Sequence, residues 1–364
     1  VNARPIMPGI TLMGAVDWDR RLFDSLIPLP EGTSYNAYLV RGSEKTALVD
    51  TVDPAKLDVL MAQLDSVERL DYLVAQHAEQ DHSGSIPAVL ARYPGAVLVT
   101  NPKAKELLQE HLDIPDDRFK TVADGETLSL GNKTLRFIYL PWVHWPETMG
   151  TYIEEDHVLF SCDFLGSHRA QSGVFAERHI VMHGAKRYYA EIMMPFRGFI
   201  IKNLDKLAGM QIDMVCPSHG PVYKDPAFIM DAYREWAGGP PDNKVVIPFV
   251  SMHGSTLKMV DRLTAALADR GVTVERFDLT TSDLGEIAMS LVDAATIVIG
   301  TPAVLTGPHP GTIEIAYLVG ALRPKAQFVS IVGSFGWGQR IVEVLGGLIA
   351  PLKAELLTPV FAKG

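Results

Sequence analysis

Cysteine is nearly missing from this chain: Cys162 and Cys216 are the whole supply in 364 residues. Two thiols cannot build a secreted disulfide framework, a four-cysteine iron site of the rubredoxin type, or an iron–sulfur cluster. Any electron donor of that kind is therefore a separate molecule. Long apolar runs are lacking too. No segment approaches the ~18 apolar residues of a membrane span, and the N-terminus shows no basic stretch followed by an apolar one. The chain reads as cytoplasmic and as having no membrane partner. Cationic excess is also absent, since 33 Lys and Arg stand against 43 Asp and Glu, for a formal net charge of -10. That balance argues against nucleic acid or an anionic membrane surface. Internal repeats and low-complexity tracts are not found, and Val1 in place of Met suggests a trimmed start.

What is present is an ordinary globular composition, with 47% hydrophobic and 21% charged residues, in a chain long enough for two full cores. The best boundary is the turn-rich Gly238-Gly239-Pro240-Pro241-Asp242, which predicts domains over 1–240 and 241–364. In the first, half-buried strands flank Arg41–Lys45 as a hairpin, a helix follows near Ala55–Leu64, and strands recur near 71–76, 96–100, 127–130 and 134–139. The second alternates regularly. Strands are predicted over 244–251, 272–279, 295–301 and 327–333, with helices over 257–270, 284–292, 312–322 and 339–349. That is the pattern of a doubly wound parallel sheet, which binds ligands at the carboxyl ends of its strands.

The densest chemistry lies in His77-Ala78-Glu79-Gln80-Asp81-His82, between a short apolar strand and a helix. One such His or Asp alone would be an ordinary turn former or helix cap. The spacing H-x-E-x-D-H, with partners further on, points instead to metal ligation from a bending loop rather than from a helix. His144, Asp163 and His219 each follow an apolar strand and an abrupt turn, so all can gather above one sheet edge. By spacing, His77, Glu79 and His144 would hold one ion, Asp81, His82 and His219 the other, and Asp163 would bridge. Three carboxylates nearly neutralise two divalent ions. Imidazole and carboxylate suit iron, manganese or zinc, and the hard anionic Glu79, where zinc hydrolases of this type carry His, favours iron.

These motifs, H-x-E-x-D-H at 77–82, His-Trp-Pro-Glu-Thr-Met at 144–149, Ser-Cys-Asp-Phe-Leu-Gly-Ser-His at 161–168 and Pro-Ser-His-Gly-Pro at 217–221, resemble those of the flavodiiron proteins, or A-type flavoproteins. The resemblance spans nearly the whole chain. It implies an α/β two-domain protein, a metallo-β-lactamase-like αββα sandwich followed by a flavodoxin-like sheet, and the seven iron ligands just assigned. Cys162, where a small polar residue is expected, reads as packing. His168 is the candidate for donating protons near the metals, against the bland alternative of a capping or surface His. No function attaches to His111, His157, His179 or His183.

Ser251-Met252-His253-Gly254-Ser255-Thr256 joins an apolar strand to a helix, and its N–H groups and hydroxyls could cradle a phosphate dianion. It resembles the flavodoxin phosphate loop with His253 at the third position, and it is neither a Walker loop nor a dinucleotide fingerprint. The alternative is a plain capped helix start. Two further strand-end loops, Thr301 to Gly307 (with Pro302, Ala303, Val304 and Leu305) and Gly333 to Gly338 (with Ser334, Phe335, Gly336 and Trp337), would flank an isoalloxazine ring. FMN fits best. Family members often carry Asn where Val304, Leu305 and Thr306 stand, and a helix closing the second domain is expected to be absent.

Two iron ions plus FMN would form a four-electron store that reduces O2 to water or couples NO to N2O. Electrons would come from a rubredoxin-like protein or a reduced deazaflavin. The resemblance also implies a head-to-tail homodimer. The rivals are a zinc hydrolase with a flavodoxin-like appendage and an electron carrier with a vestigial metal domain.

Overall fold

Strict alternation along Thr33–Arg41 shows how the first unit is layered. In this computed structural model, which describes residues 2–337 and 340–364, Tyr35, Ala37 and Leu39 face one core while Tyr38 and Val40 face another. The strand can serve two cores because successive side chains of a pleated strand point to opposite faces. It belongs to a seven-stranded sheet whose order is Arg4–Met7, Ile10–Asp17, Thr33–Arg41, Thr46–Val49, Tyr72–Val74, Val97–Thr100, Phe119–Thr121. A five-stranded sheet runs Thr127–Ser129, Thr134–Tyr139, Met149–Ile153, Val158–Cys162, Met214–Pro217. One core lies between the sheets, joining Val40, Val49 and Val74 to Phe137, Phe160 and Cys216. The other lies between the larger sheet and the helices Leu57–Leu64, Ile86–Arg92 and Pro102–His111. With the helices Arg178–Tyr188 and Arg197–Leu207 in the same half of the chain, this is the expected αββα sandwich.

Contacts divide the chain into one unit of residues 1–188 and 198–234 and another of 189–197 and 235–364. The nine-residue return of Tyr189–Arg197 to the second unit leaves no pattern in the sequence. It coincides with irregular winding, a π turn over Tyr189–Met193 and a 3-10 turn over Met194–Phe196.

In the second unit the parallel order is Thr273–Asp278, Asp242–Phe249, Ala294–Val304, Phe328–Phe335, then Glu355–Leu356 with Val360–Lys363. This 2-1-3-4-5 arrangement is the flavodoxin-like winding. Helices Leu284–Leu291, Pro310–Leu322 and Ile341–Ile349 pack on one face, and Ser255–Ala268 lends Val260 to the other. Two expectations need adjusting. The third strand runs to Val304, three residues beyond the expected end, because it folds back on Gly307–Pro308 as a hairpin. The last helix, expected from Gln339, begins at Ile341, and Gln339 and Gly338 lie outside the described residues.

Candidate functional site

Each predicted metal-site residue leaves the sandwich at a strand end. His77 and Glu79 follow Tyr72–Val74, His144 follows Thr134–Tyr139, Asp163 follows Val158–Cys162 directly, and His219 follows Met214–Pro217. Asp81 and His82 correct the expectation of an irregular loop, since they stand on one helical turn, Gln80–Ser83. The turn forms because Ser83 N donates to Glu79 O, Gly84 N donates to Gln80 O, and Ser83 Oγ donates to Ala78 O at 2.7 Å. Neighbouring side chains on a helix diverge by roughly 100°. A short turn can therefore aim Asp81 and His82 at one centre from two directions.

The structure brings all seven side chains together in two groups. Glu79 Oε2 lies 3.1 Å from both His77 Nε2 and His144 Nε2. Asp81 Oδ1 is 3.3 Å from His82 Nε2, and Asp81 Oδ2 is 3.2 Å from His219 Nε2. Asp163 addresses both groups with separate oxygens. Its Oδ2 is 3.4 Å from His77 Nε2 and 3.3 Å from His144 Nε2, while its Oδ1 is 3.0 Å from His82 Nε2 and 3.2 Å from His219 Nε2. Donor atoms that ring a cation at about 2.1 Å stand about 3 Å from one another, which is the spacing found here.

The donor set fits metal. Both Asp81 oxygens, both Asp163 oxygens and both His82 nitrogens are buried with no hydrogen-bond partner. Leaving so many buried polar atoms unmatched is costly unless cations collect their lone pairs. The electrostatics agree. Burial opposes ionisation of Asp163, yet His82, His144 and His219 hold its carboxyl well below the usual carboxylate range. Burial likewise opposes ionisation of Glu79, and His144 and His77 outweigh it, keeping this carboxyl low. Conversely, burial would lower His144, but Asp163 and Glu79 raise it to about 9. The acids of the cluster demand positive charge at its centre.

Residues behind the cluster fix the rings, and sequence reading missed them. Glu147 is buried, and its Oε1 accepts from His77 Nδ1 at 2.7 Å and from Ala78 N at 3.0 Å. His219 Nδ1 donates to Ser34 O at 2.7 Å. Such back contacts fix the tautomer, so that Nε2 points inward as a free acceptor. Asp50 accepts from Gln76 N and Gln76 Nε2, each at 2.8 Å, and from Ser218 Oγ at 3.3 Å. One carboxylate thus ties two site loops together. The only advance signal was Glu147 within the His-Trp-Pro-Glu-Thr-Met motif.

His168, the predicted proton donor, is buried, with its ring 4.9 Å from that of His219. Its Nδ1 meets Thr33 Oγ1 at 2.9 Å and its Nε2 has no partner. Burial, reinforced by His219, pushes this imidazole well below its ordinary value. Burial also pushes the Cys162 thiol up, as befits a packed, protonated side chain.

In the second unit the loops after Asp242–Phe249, Ala294–Val304 and Phe328–Phe335 sit at the carboxyl ends of three adjacent parallel strands. Gly254 caps the Ser255–Ala268 helix with φ 86°, and a Cβ there would meet nothing within 4 Å. The space beside this helix N-terminus is open, and helix-start N–H groups suit a phosphate. Ser251 Oγ accepts from Leu257 N at 3.1 Å, and Thr256 Oγ1 meets Ser334 Oγ at 3.0 Å, tying the first loop to the third. His253, Leu305, Gly336 and Trp337 are exposed, Ser255, Ala303, Val304, Gly307 and Phe335 half-buried, Pro302 buried. The predicted Gly338 falls outside the described residues.

Comparison with known proteins covers the whole chain. Residues 33–220 match the family described as "ODP family beta lactamase". The chain is 36% identical over 362 residues to the nitric oxide reductase of Moorella thermoacetica, covering 97% of this chain and 90% of that protein. It is 34% identical over 353 residues to the coenzyme F420H(2) oxidase of Methanothermobacter marburgensis, covering 92% and 86%. Among solved structures it is similar to the rubredoxin oxygen:oxidoreductase of Desulfovibrio gigas, with a TM-score of 0.95, 32% identity, and coverage of 100% of this chain and 93% of that one.

Proposed function

Since the chain belongs to the flavodiiron proteins, we propose that it is an oxidoreductase that reduces O2 to water or NO to N2O at two non-haem irons, with electrons entering through FMN. The observation that carries this reading is Asp163, which turns one oxygen to each of two three-residue groups. In this assignment His77, Glu79 and His144 hold one iron, Asp81, His82 and His219 the other, and Asp163 both. The iron pair would supply reducing equivalents and open positions for a small gas, and FMN would relay electrons.

The protein's own share is preorganisation. Glu147 and the Ser34 carbonyl hold His77 and His219 with Nε2 inward, and burial of His77, Asp81, His82, Asp163 and His219 limits the competition from bulk water. His168, with Nε2 unpaired beside His219, is the side chain in this reading that would pass protons toward the metals. In the second domain of the assignment, 241–364, the N–H groups at Gly254–Thr256 would bind the FMN phosphate, and the hairpin at 303–308 and Ser334–Trp337 would border the ring. The relatives' printed names support a rubredoxin-like or reduced deazaflavin donor. A head-to-tail homodimer is part of the same reading, and a monomeric mass at working concentration would remove it.

Anaerobic stopped-flow of reduced, metal-quantified protein against each gas tests the function. Two irons and one FMN per chain, with rapid reoxidation by at least one gas, are expected. Zinc in place of iron, with ester hydrolysis and no reoxidation, would replace this proposal by a hydrolase.

A further inference from the structure

The seven-stranded sheet of the first unit ends on a strand, Arg4–Met7, that carries a guanidinium with no acidic partner. Arg4 pairs with Leu12, Val16 with Ser34, and Gly14 with Asn36, so Arg4, Val16, Ser34 and Asn36 share one face of the sheet. Residues 169–174 cross that face. Ala170 N donates to Glu31 O at 2.9 Å, Val222 N donates to Val174 O at 2.9 Å, and Arg4 Nη1 donates to Ser172 O at 2.7 Å. Between sheet and segment lies a cavity whose lining includes Arg4, Val16, Ser34, Asn36, Arg169 and Gly220, with about 10 Å³ of room. That is space for one group of the size of a water molecule.

Three side chains of this lining hold donors that lack acceptors. Arg169 pairs through Nη1 with Glu31 Oε1, but its Nε is buried with no hydrogen-bond partner. Arg4 is half-buried and gives one N–H to the Ser172 carbonyl, and among the described residues no carboxylate lies within ion-pair distance of it. Ser34 Oγ accepts from Gly220 N at 2.8 Å, which leaves its own O–H free to donate. Asn36 cannot compensate with its amide, because Nδ2 is already committed to Pro217 O at 2.9 Å and Gly220 O at 2.7 Å. Two guanidinium charges thus face the single carboxylate of Glu31, and one positive charge is left over beside the cavity. Withdrawing an ion and an N–H donor from water is costly unless something supplies the opposite charge and an acceptor.

We propose that this cavity binds one monovalent anion of halide size, held by Arg4, Arg169 and the Ser34 hydroxyl. The surplus of one positive charge sets the valence, and the narrow room excludes phosphate, sulfate and organic carboxylates. Such an ion accepts from several directions at once, as donors from two strands and a crossing segment require. Its place in the fold gives it a structural role. It would fasten the Arg4–Met7 strand and residues 169–174 to Ser34, whose carbonyl accepts from His219 Nδ1. None of the seven metal-site side chains lines the cavity, and the inference is independent of the gas chemistry.

Two measurements on the full-length, metal-loaded protein test it. Crystals soaked in bromide should show an anomalous scattering peak in the cavity, within hydrogen-bond reach of Arg4 and of Arg169 Nε. In solution, exchanging gluconate, which is too large for the cavity, for chloride at equal ionic strength should raise the thermal midpoint by about 2–4 °C, since an ion bound by the folded chain alone stabilises it. Arg4→Gln keeps much of the side chain and drops the charge, so the chloride increment should vanish. Arg4→Lys should retain part of it. A water or empty density in the bromide crystals would overturn the site, as would equal midpoints in the two salts. A bromide peak without any chloride increment would mark an adventitious ion only and overturn it too. An undiminished increment in Arg4→Gln would place the anion elsewhere. If Arg4→Gln does not fold, the bromide peak and the salt difference of the unaltered protein decide the matter between them.

Discussion

The metal cluster and the flavin loops are built on opposite plans. In the first unit, five of the seven ligand-type side chains are buried and Glu79 and His144 are half-buried, and the His77 and His219 rings are braced from behind by Glu147 and the Ser34 carbonyl. In the second, the proposed contacts are mostly half-buried or exposed, the exposed ones being His253, Gly336, Leu305 at 88% and Trp337 at 72%. The side-chain ties there are few, notably Thr256 with Ser334 and Thr301 with Thr312. The difference follows from what each site must hold. Buried charges are tolerable only with prebuilt partners, so the cluster admits little substitution. A phosphate can be gripped by main-chain N–H groups, so the side chains around it are free to vary. This is why Val304, Leu305 and Thr306 can replace the polar residues expected there while the seven cluster residues are all in place.

Asp163→Ala should break the comparison most sharply. It removes the one carboxylate shared by both groups, so iron content and gas consumption should each fall by more than about 100-fold, beyond the usual cost of losing an outer contact. FMN affinity should stay as it was. Metal analysis and flavin titration on one preparation read both, and a parallel loss of FMN would show that the sites are not independently built. Glu147→Gln ranks next. It keeps the shape but weakens the acceptor behind His77 Nδ1, so iron affinity, followed by chelator competition, should drop about 10- to 100-fold. No change would mean that His77 is oriented by its packing against Trp145, whose ring lies 5.0 Å away, and not by the carboxylate.

The contrast also explains what the sequence could tell. The ligands were legible because imidazoles and carboxylates packed into 77–82 have no cheaper use, and because each distant partner follows a strand. Layering was legible from alternation, as along Thr33–Arg41, and the parallel order from regular βα spacing. Glu147, Asp50 and Thr33 were not legible as site residues. A single Glu, Asp or Thr in a loop is locally an ordinary turn former, and only tertiary pairing turns Glu147 toward His77. The helical turn at Gln80–Ser83 escaped because four residues carry too little periodicity to show. The hairpin at 304–307 escaped because its turn residues are Leu305 and Thr306, both at positive φ, where Asn and Gly would have announced it.

Effects in the second unit should be smaller. Thr256→Val removes one hydroxyl from the Thr256–Ser334 tie between the first and third loops, and a hydrogen bond of this kind contributes about 0.5–1.5 kcal/mol. FMN affinity, read by quenching of flavin fluorescence on adding FMN-free protein, should weaken about 3- to 10-fold, with iron content constant. A loss as large as that from Glu147→Gln on iron would erase the proposed contrast between braced and main-chain sites.

The smallest effect sharpens the point from the stability side. Leu305 and Thr306 hold φ of 49° and 71° at the tip of the hairpin that pairs Val304 with Gly307. The left-handed region costs an L-residue roughly 1–2 kcal/mol, whereas Asn and Gly enter it readily. Leu305→Asn combined with Thr306→Gly should therefore raise the unfolding free energy of the second unit by about 1 kcal/mol, seen as a higher denaturant midpoint at unchanged slope. Metal content should not move, because the hairpin belongs to the second unit. If FMN binding also weakens, the Leu305 side chain grips the flavin, and the rule that this site is held mainly by main chain fails at its most exposed residue.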